Sequence, residues 1–422
     1  MAKQEIKVNK IKSTILDFNK NLLSKNSLNV LKKLNQSGFQ AFLVGGSIRD
    51  LLIGKEPKDF DIVTDAKPEQ IKKIFRNCRL IGRRFRLAHI YFGRELIEVA
   101  TFRSSETSND KKSKYDNKGR ILRDNVFGKI EEDVFRRDFK CNALYYSILD
   151  DLIWDFVGGL DDIKQKRLNF IGNVTKRLRE DPVRMLRAAR FNAKLNFALS
   201  HQLKCEIKNN SKLLNNVPAA RIFDEFLKLF QSGYGEKAFC SMMELNLFKE
   251  IFPYTFDEAI SDGKFKSFIE EALRNTDERI NSQLSTTPMF LIGVFLWKPI
   301  KARAQYIQNE NQYSKIQSMV IASYDIVGLH QDLIAIPKRF SSSMRKMLIM
   351  QIRFEELTDK QASKLKNSRF FRAAYDFLLL RSIVGDCSRE VVNFWTKVEQ
   401  QTIKIKYPKY NKNRNYRKLK GL

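Results

Sequence analysis

Asp59 and Asp61 stand two residues apart in Lys58-Asp59-Phe60-Asp61-Ile62-Val63, shortly after the glycine pair of Leu43-Val44-Gly45-Gly46-Ser47-Ile48-Arg49-Asp50. On a strand, two such carboxylates project from one face, where they repel each other unless cations bridge them. Hard oxygen donors of this kind suit Mg²⁺, with Mn²⁺ as its substitute. Two ions held ~3.5–4 Å apart can activate an attacking hydroxyl and steady a leaving oxygen. Gly45 and Gly46 let backbone come close to a ligand where a Cβ would intrude. A helix starting at Ser47 aims free N–H groups and its positive end at a phosphate. Arg49, in its first turn, can add a two-pronged contact to phosphate oxygens. Asp-x-Asp and Gly-Gly are each weak signals; in this order and at this distance they point to phosphate chemistry on divalent metals.

Those side chains need a frame. Ala41–Val44 is a short apolar run ending at the glycines, which suits a buried strand. Residues 96–102 form another apolar run with one charge in it, Glu98. A glutamate there is costly unless paired or metal-bound, so Glu98 is the candidate third carboxylate; an edge-strand glutamate facing water is the plain alternative. Arg136-Arg137-Asp138-Phe139-Lys140-Cys141-Asn142 reads as the opening of a helix. Its polar groups could serve phosphate, metal or ribose hydroxyls, or Asp138 could simply cap the helix. In residues 180–191, Asp181 suits an N-cap and Pro182 a first helical turn. Arg184 and Arg187 then lie one turn apart. Asp181 with Arg184 could read a base edge, and Arg187 with Arg190 could hold phosphates; a solvated charged face is the alternative.

Together these motifs resemble the class II nucleotidyltransferases, the group of bacterial poly(A) polymerases and tRNA CCA-adding enzymes. The resemblance runs from about Leu43 to Pro253 and rests on Val44-Gly45-Gly46-x-x-Arg49-Asp50, Asp59-x-Asp61, Arg136-Arg137-Asp138-Phe139 with Asn142-Ala143, and Glu180-Asp181-Pro182-x-Arg184 with Arg187-Ala188. Within the class, the segment Leu80-Ile81-Gly82-Arg83-Arg84-Phe85 and, near the C-terminus, Ile336-Pro337-Lys338-Arg339-Phe340 are similar to poly(A) polymerases rather than CCA-adding enzymes. The resemblance implies addition of AMP from ATP to RNA 3′ ends without a template, promoting RNA processing and decay, with two Mg²⁺ ions at Asp59 and Asp61. It makes Asp138 a catalytic carboxylate, where the residues themselves favour Glu98. Gly45, Gly46, Arg49, Arg137, Arg184 and Arg187 would contact the nucleotide, Asn142 the ribose, and Asp181 with Arg184 the base; Arg83 and Arg84 would meet RNA. A CCA-adding enzyme on the same head, or a non-catalytic RNA-binding protein on a dead one, are the rival readings.

Composition agrees with a polyanion partner. The 422 residues carry 77 Lys and Arg against 48 Asp and Glu, a net +29, so affinity for RNA should fall steeply with salt; a peripheral membrane contact is the competing polyanion. Hydrophobic residues make up 43%, which excludes wholesale disorder. Five scattered cysteines show no metal-ligand spacing and fit a reduced, cytoplasmic setting, and residues 1–26 show no signal-peptide pattern. The apolar run 289–297 is too short to span a bilayer. The expected architecture is α+β: a polar lead (1–26), a small mixed α/β nucleotidyltransferase head (27–157) with a flexible polar loop at 104–120, a helical neck (158–231), an all-helical body (232–400) and a basic tail (401–422). Lys404, Lys406, Lys409, Lys412, Arg414, Arg417, Lys418 and Lys420, interleaved with tyrosines, suit single-stranded RNA. A monomer is expected, with an RNA chaperone or a degradative complex as protein partners.

Overall fold

The computed structural model describes residues 8–82, 86–104, 127–355 and 359–406, with the side chains of 359–361 and 401–406 also outside that description. The chain divides into two compact units, 1–213 and 214–422.

The first unit is built on an eight-stranded sheet in the order β1-β8-β7-β2-β3-β6-β5-β4. Its strands are β1 Asn9–Lys12, β2 Ala41–Val44, β3 Asp61–Thr64, β4 Cys78–Ile81, β5 Leu87–Phe92, β6 Glu95–Thr101, β7 Leu144–Ser147 and β8 Leu152–Asp155. Among the described strands of this sheet, only β3 and β6 pair in parallel. Strand alternation splits the core between the two faces. Ala41, Leu43, Ile62, Val99 and Tyr146 pack on one face with helices α1 (Lys25–Gln36) and α3 (Pro68–Ile74). Phe42, Val44, Val63 and Tyr145 pack on the other with α4 (Ile130–Arg136). The catalytic candidates lie on this second face, because Asp61 pairs with Val44 and shares its side of the sheet with Val63.

One expectation gains detail and one is corrected. Within the polar lead, Asn9–Lys12 adds β1 to the sheet edge against β8. Side chains anchor it more than apolar pattern does, with Lys10 Nζ 3.6 Å above the Trp154 ring and Ser13 donating to Asp151 at 2.7 Å. Residues 136–142 do not open a helix. α4 ends at Arg136, Arg137 and Phe139 are extended, and a 3-10 turn, Lys140–Asn142, leads into β7. The backbone is drawn out because its partners lie across the fold: Ile171 N–H donates to Asp138 O at 2.9 Å and Lys140 N–H to Asn169 O at 3.0 Å.

After β8 come α5 (Gly159–Lys164), α6 (Val174–Glu180), α7 (Val183–Leu195) and α8 (His201–Asn210). The second unit is helical throughout its described residues. The stripe Ile222, Phe223, Phe226 and Phe230 is buried on helix Ala219–Phe230. The apolar run 289–297 lies inside helix Pro288–Asn311, where Phe295 meets the rings of Phe230, Phe248 and Phe252 at 5.1–5.4 Å. Among the described residues no helix is long and apolar enough to cross a membrane.

Candidate active site

β2 runs into Gly45, whose φ of 81° and ψ of −131° lie where a side chain is disfavoured. A Cβ there would face Arg137 Nη1 at 3.6 Å and Asn142 O at 3.9 Å. The turn thus brings α2 (Gly46–Leu52) against the 137–142 segment and opens a cleft of about 500 Å³. Gly45, Gly46, Arg49, Arg137, Asn142, Asp181, Arg184 and Arg187 all line it, as do Asp59, Asp61 and Asp138. Eight basic side chains on its wall outnumber five aspartates, so the cleft can hold a polyphosphate while one corner stays anionic.

That corner is Asp59 and Asp61. Asp61 heads β3, with Asp59 just before the strand. Asp61 is exposed where it opens to the cleft, while the protein beside its carboxyl still excludes part of the solvent. Burial first, then the charge of Glu98, push its carboxyl up from 3.8 to about 6, with Arg137 pulling down and Asp59 pushing up. A carboxylate so short of positive charge is suited to a cation. Among the described residues no three His, Cys, Asp or Glu side chains cluster as a metal cage. Mg²⁺ does not need one: it is commonly held by one or two carboxylates, with water and substrate phosphate completing the shell. The Asp59–Asp61 pair fits that open kind of site.

The two candidates for a third carboxylate part ways. Glu98 sits in register with Asp61 on the parallel neighbour, but its Oε2 lies 3.3 Å from His89 Nε2 and it does not line the cleft. Asp138 lines the cleft but is committed: Oδ2 accepts from Arg187 Nε at 2.6 Å and Oδ1 from Phe139 N–H at 2.8 Å. Burial alone would raise the Asp138 carboxyl; the Arg187 charge and the Phe139 N–H bring it below its ordinary value.

The arginines are similarly braced. Arg137 donates from Nε to Tyr145 Oη at 2.9 Å and from Nη2 to Asp133 at 3.0 Å. Arg177 holds the carbonyls of Arg136 and Arg137, and Arg184 donates to Arg177 O at 2.7 Å. Asp181 caps the start of α7 by accepting from Val183 N–H at 3.3 Å. Arg49 departs most from its expected part: its guanidinium is spent on Asp50 and Asn142. Cys141, beside Asn142, is buried and inert, its thiol pushed up to about 12 by burial. Lys58, Phe191 and Lys194 also line the cleft. The last two were findable, since Arg184, Arg187, Phe191 and Lys194 recur at three- and four-residue steps along one face of α7. Arg83, Arg84, Lys409, Lys412, Arg414, Arg417, Lys418, Lys420 and most of the 104–120 loop lie outside the described residues. Lys404 and Lys406 close helix Arg389–Lys406 with their side chains outside that description.

The Asp61 environment has a stability consequence. Its folded pKa lies above the unfolded one, so its contribution to stability is fully present below pH 3.8 and is lost as pH rises through about 6. At pH 8, Asp61→Asn is expected to melt at a higher temperature than the unsubstituted protein, and at pH 4 the gap closes. Mg²⁺ raises the Tm of the unsubstituted protein at pH 8 and leaves that of Asp61→Asn unmoved. Equal Tm values at pH 8 without metal would mean that the arginines already neutralise the site.

Residues 41–169 match the family model described as Poly A polymerase head domain. Residues 196–258 match the probable RNA and SrmB-binding site of polymerase A, and residues 311–418 the arginine-rich C-terminus of polymerase A. The chain is 45% identical over 368 residues to poly(A) polymerase I of Escherichia coli O6:H1, covering 86% of this chain and 79% of that one. It is 32% identical over 305 residues to the CCA-adding enzyme of Lactobacillus helveticus, covering 71% of each. Among solved structures, the CCA-adding enzyme of Bacillus stearothermophilus in complex with CTP gives a TM-score of 0.60 at 22% identity, covering 89% of this chain and 81% of that one. At that identity the likeness concerns the fold.

Proposed function

The chain belongs to the bacterial poly(A) polymerase family, and on that premise we propose the chemistry of its cleft. The protein is a template-independent polynucleotide adenylyltransferase: it adds AMP from ATP to RNA 3′ ends. The RNA 3′-oxygen bonds to the α-phosphorus, the bond from that phosphorus to the β-bridging oxygen breaks, and pyrophosphate leaves; the hydroxyl proton passes to solvent. The observation that carries this reading is the 45% identity to poly(A) polymerase I over most of the chain, supported by the convergence of the glycine turn, the Asp59–Asp61 pair and residues of the 136–142 and 180–191 segments on one cleft. CCA addition is the second reading, on weaker similarity.

Asp59 and Asp61 would hold the divalent metal, two ions of Mg²⁺ or Mn²⁺. When bound, these would favour the nucleophilic form of the 3′-oxygen and neutralise the departing pyrophosphate. The chain's own residues prepare the rest. The Gly45–Gly46 turn brings backbone close to the triphosphate, and Arg137, Arg184, Arg187 and Lys194 supply positive charge fixed before ATP arrives. Asp138 positions Arg187, and Glu98 tunes Asp61 from the neighbouring strand. Asp181 and Arg184 face the base, and Asn142 the ribose. The basic stretch from Lys404 onward adds affinity for RNA.

The deciding experiment extends a 5′-labelled RNA, and separately a tRNA lacking its 3′ end, with Mg²⁺ and each NTP alone. Long ladders from ATP on both RNAs are expected. CTP and ATP addition that stops at a fixed length on the tRNA would establish CCA addition instead. No extension of an RNA that still binds would leave a binding protein.

A further inference from the structure

Strands β4, β5 and β6 turn one face into the core, where Cys78, Ala88, Ile90, Ile97 and Val99 are buried. The opposite face carries a row of side chains that begins at the active site. Asp61 pairs in register with Glu98, Glu98 with His89, and His89 with Arg79. Toward the sheet centre this face is covered by the cluster of Phe42, Val63, Ile130 and Val134. Beyond Asp61 the described residues leave it open: Tyr91 is 38% exposed and its cross-strand partner Leu96 40%. The Arg79 guanidinium lies 5.7 Å from the Tyr91 ring centre, and the His89 ring meets Tyr91 edge-on at 6.4 Å.

We propose that this open face seats the last nucleotides of the RNA primer, one base stacked on Tyr91 and one phosphate paired with Arg79. The inference rests on the adenylyltransferase reading, in which ATP fills the basic side of the cleft and the attacking strand must arrive from elsewhere. Three features select single-stranded RNA as the occupant. The patch is continuous, through Glu98 and His89, with Asp61, beside which the 3′-hydroxyl would react. At ~4.8 Å per strand, β5 lies only about 10 Å from Asp61 across the sheet. An exposed cation beside an accessible aromatic ring gives a base a stacking surface and its phosphate a counter-charge, without regard to sequence. That suits an enzyme that must begin on RNA 3′ ends of any sequence and continue on the adenosines it has added.

The test uses the full chain with Tyr91→Ala, Tyr91→Phe and Arg79→Ala, all at exposed positions. Equilibrium binding of a labelled oligonucleotide and the KM for RNA and for ATP are measured. Tyr91→Ala and Arg79→Ala are expected to raise the RNA Kd and KM about tenfold and to leave the ATP KM in place, with Tyr91→Phe restoring both RNA values. A primer carrying one abasic site within its terminal nucleotides should reproduce the Tyr91→Ala loss, and the two losses should not add. Unmoved RNA Kd and KM in both alanine variants, or full additivity at every abasic position, overturns the proposal. A changed oligomeric state in Tyr91→Ala with RNA binding intact would assign the face to a second copy of the chain and overturn it too. If the unsubstituted protein adds no AMP, the adenylyltransferase reading fails, and the binding arm still decides the face by the same criteria.

Discussion

Asp59→Ala and Asp61→Ala each lower AMP addition by about 10³-fold or more, roughly 4 kcal/mol of transition-state stabilisation, while affinity for RNA stays within about twofold. The two outcomes separate because the carboxylates repel the RNA backbone; phosphate affinity comes from Lys and Arg. The fold also survives, since Asp61 carries a charge its surroundings disfavour. Primer extension under single-turnover conditions and equilibrium binding of the same RNA check the pair of results. Full activity in both variants would remove the metal chemistry from this corner. The same assay separates the two further carboxylates. Glu98→Gln should change the Mg²⁺ requirement through its neighbour Asp61. Asp138→Asn should raise the KM for ATP, because its partner is Arg187. A shifted Mg²⁺ requirement in Asp138→Asn would make Asp138 the metal ligand instead.

What could be read in the sequence follows the range of the interactions involved. β2 is four apolar residues ending at glycines, α7 is announced by Asp181-Pro182, and the apolar run 96–102 that makes most of β6 stands out by its single charge. Each signal is complete within about ten residues. The segment 137–142 is different. Its polar, helix-tolerant residues are kept out of an α-helix, extended through 137–139 and then turned at 140–142, by backbone hydrogen bonds to 169 and 171, which no local pattern encodes. β1 likewise takes its place through partners in β8, more than a hundred residues on. The parallel pairing of β3 with β6 is what puts Glu98 beside Asp61. The sequence supplied the two strands as candidates but not their adjacency. Sequence reading thus found the chemical groups, and missed which of them are spent on each other.

Arg49 is the sharpest case of that difference, and its substitution is expected to unfold rather than merely disable. Its side chain is 2% exposed. Nε and Nη2 donate to Asp50 Oδ1 at 2.9 and 2.6 Å, and Nη1 donates to Asn142 Oδ1. The guanidinium also packs 5.3 Å from the Phe191 ring centre. One side chain therefore ties α2, the 140–142 turn and α7 into a single wall. Arg49→Ala leaves the buried Asp50 carboxylate with Lys194 at 3.4 Å in place of the lost fork. Stranding one partner of a buried pair costs about 3–5 kcal/mol, a large share of the ~5–15 kcal/mol that holds a protein folded. The transition of the first unit should fall by roughly 10 °C. Arg49→Lys keeps the charge but not the planar fork, so it should recover only part of the loss. Arg49→Met combined with Asp50→Leu removes both charges and should melt above Arg49→Ala, since no carboxylate is then stranded. AMP addition should remain low in the double variant, because Asn142 has lost its donor and the cleft a cation. The alternative assigns Arg49 to the triphosphate directly. It makes the opposite prediction: Arg49→Ala would melt where the unsubstituted protein does and would show a raised KM for ATP.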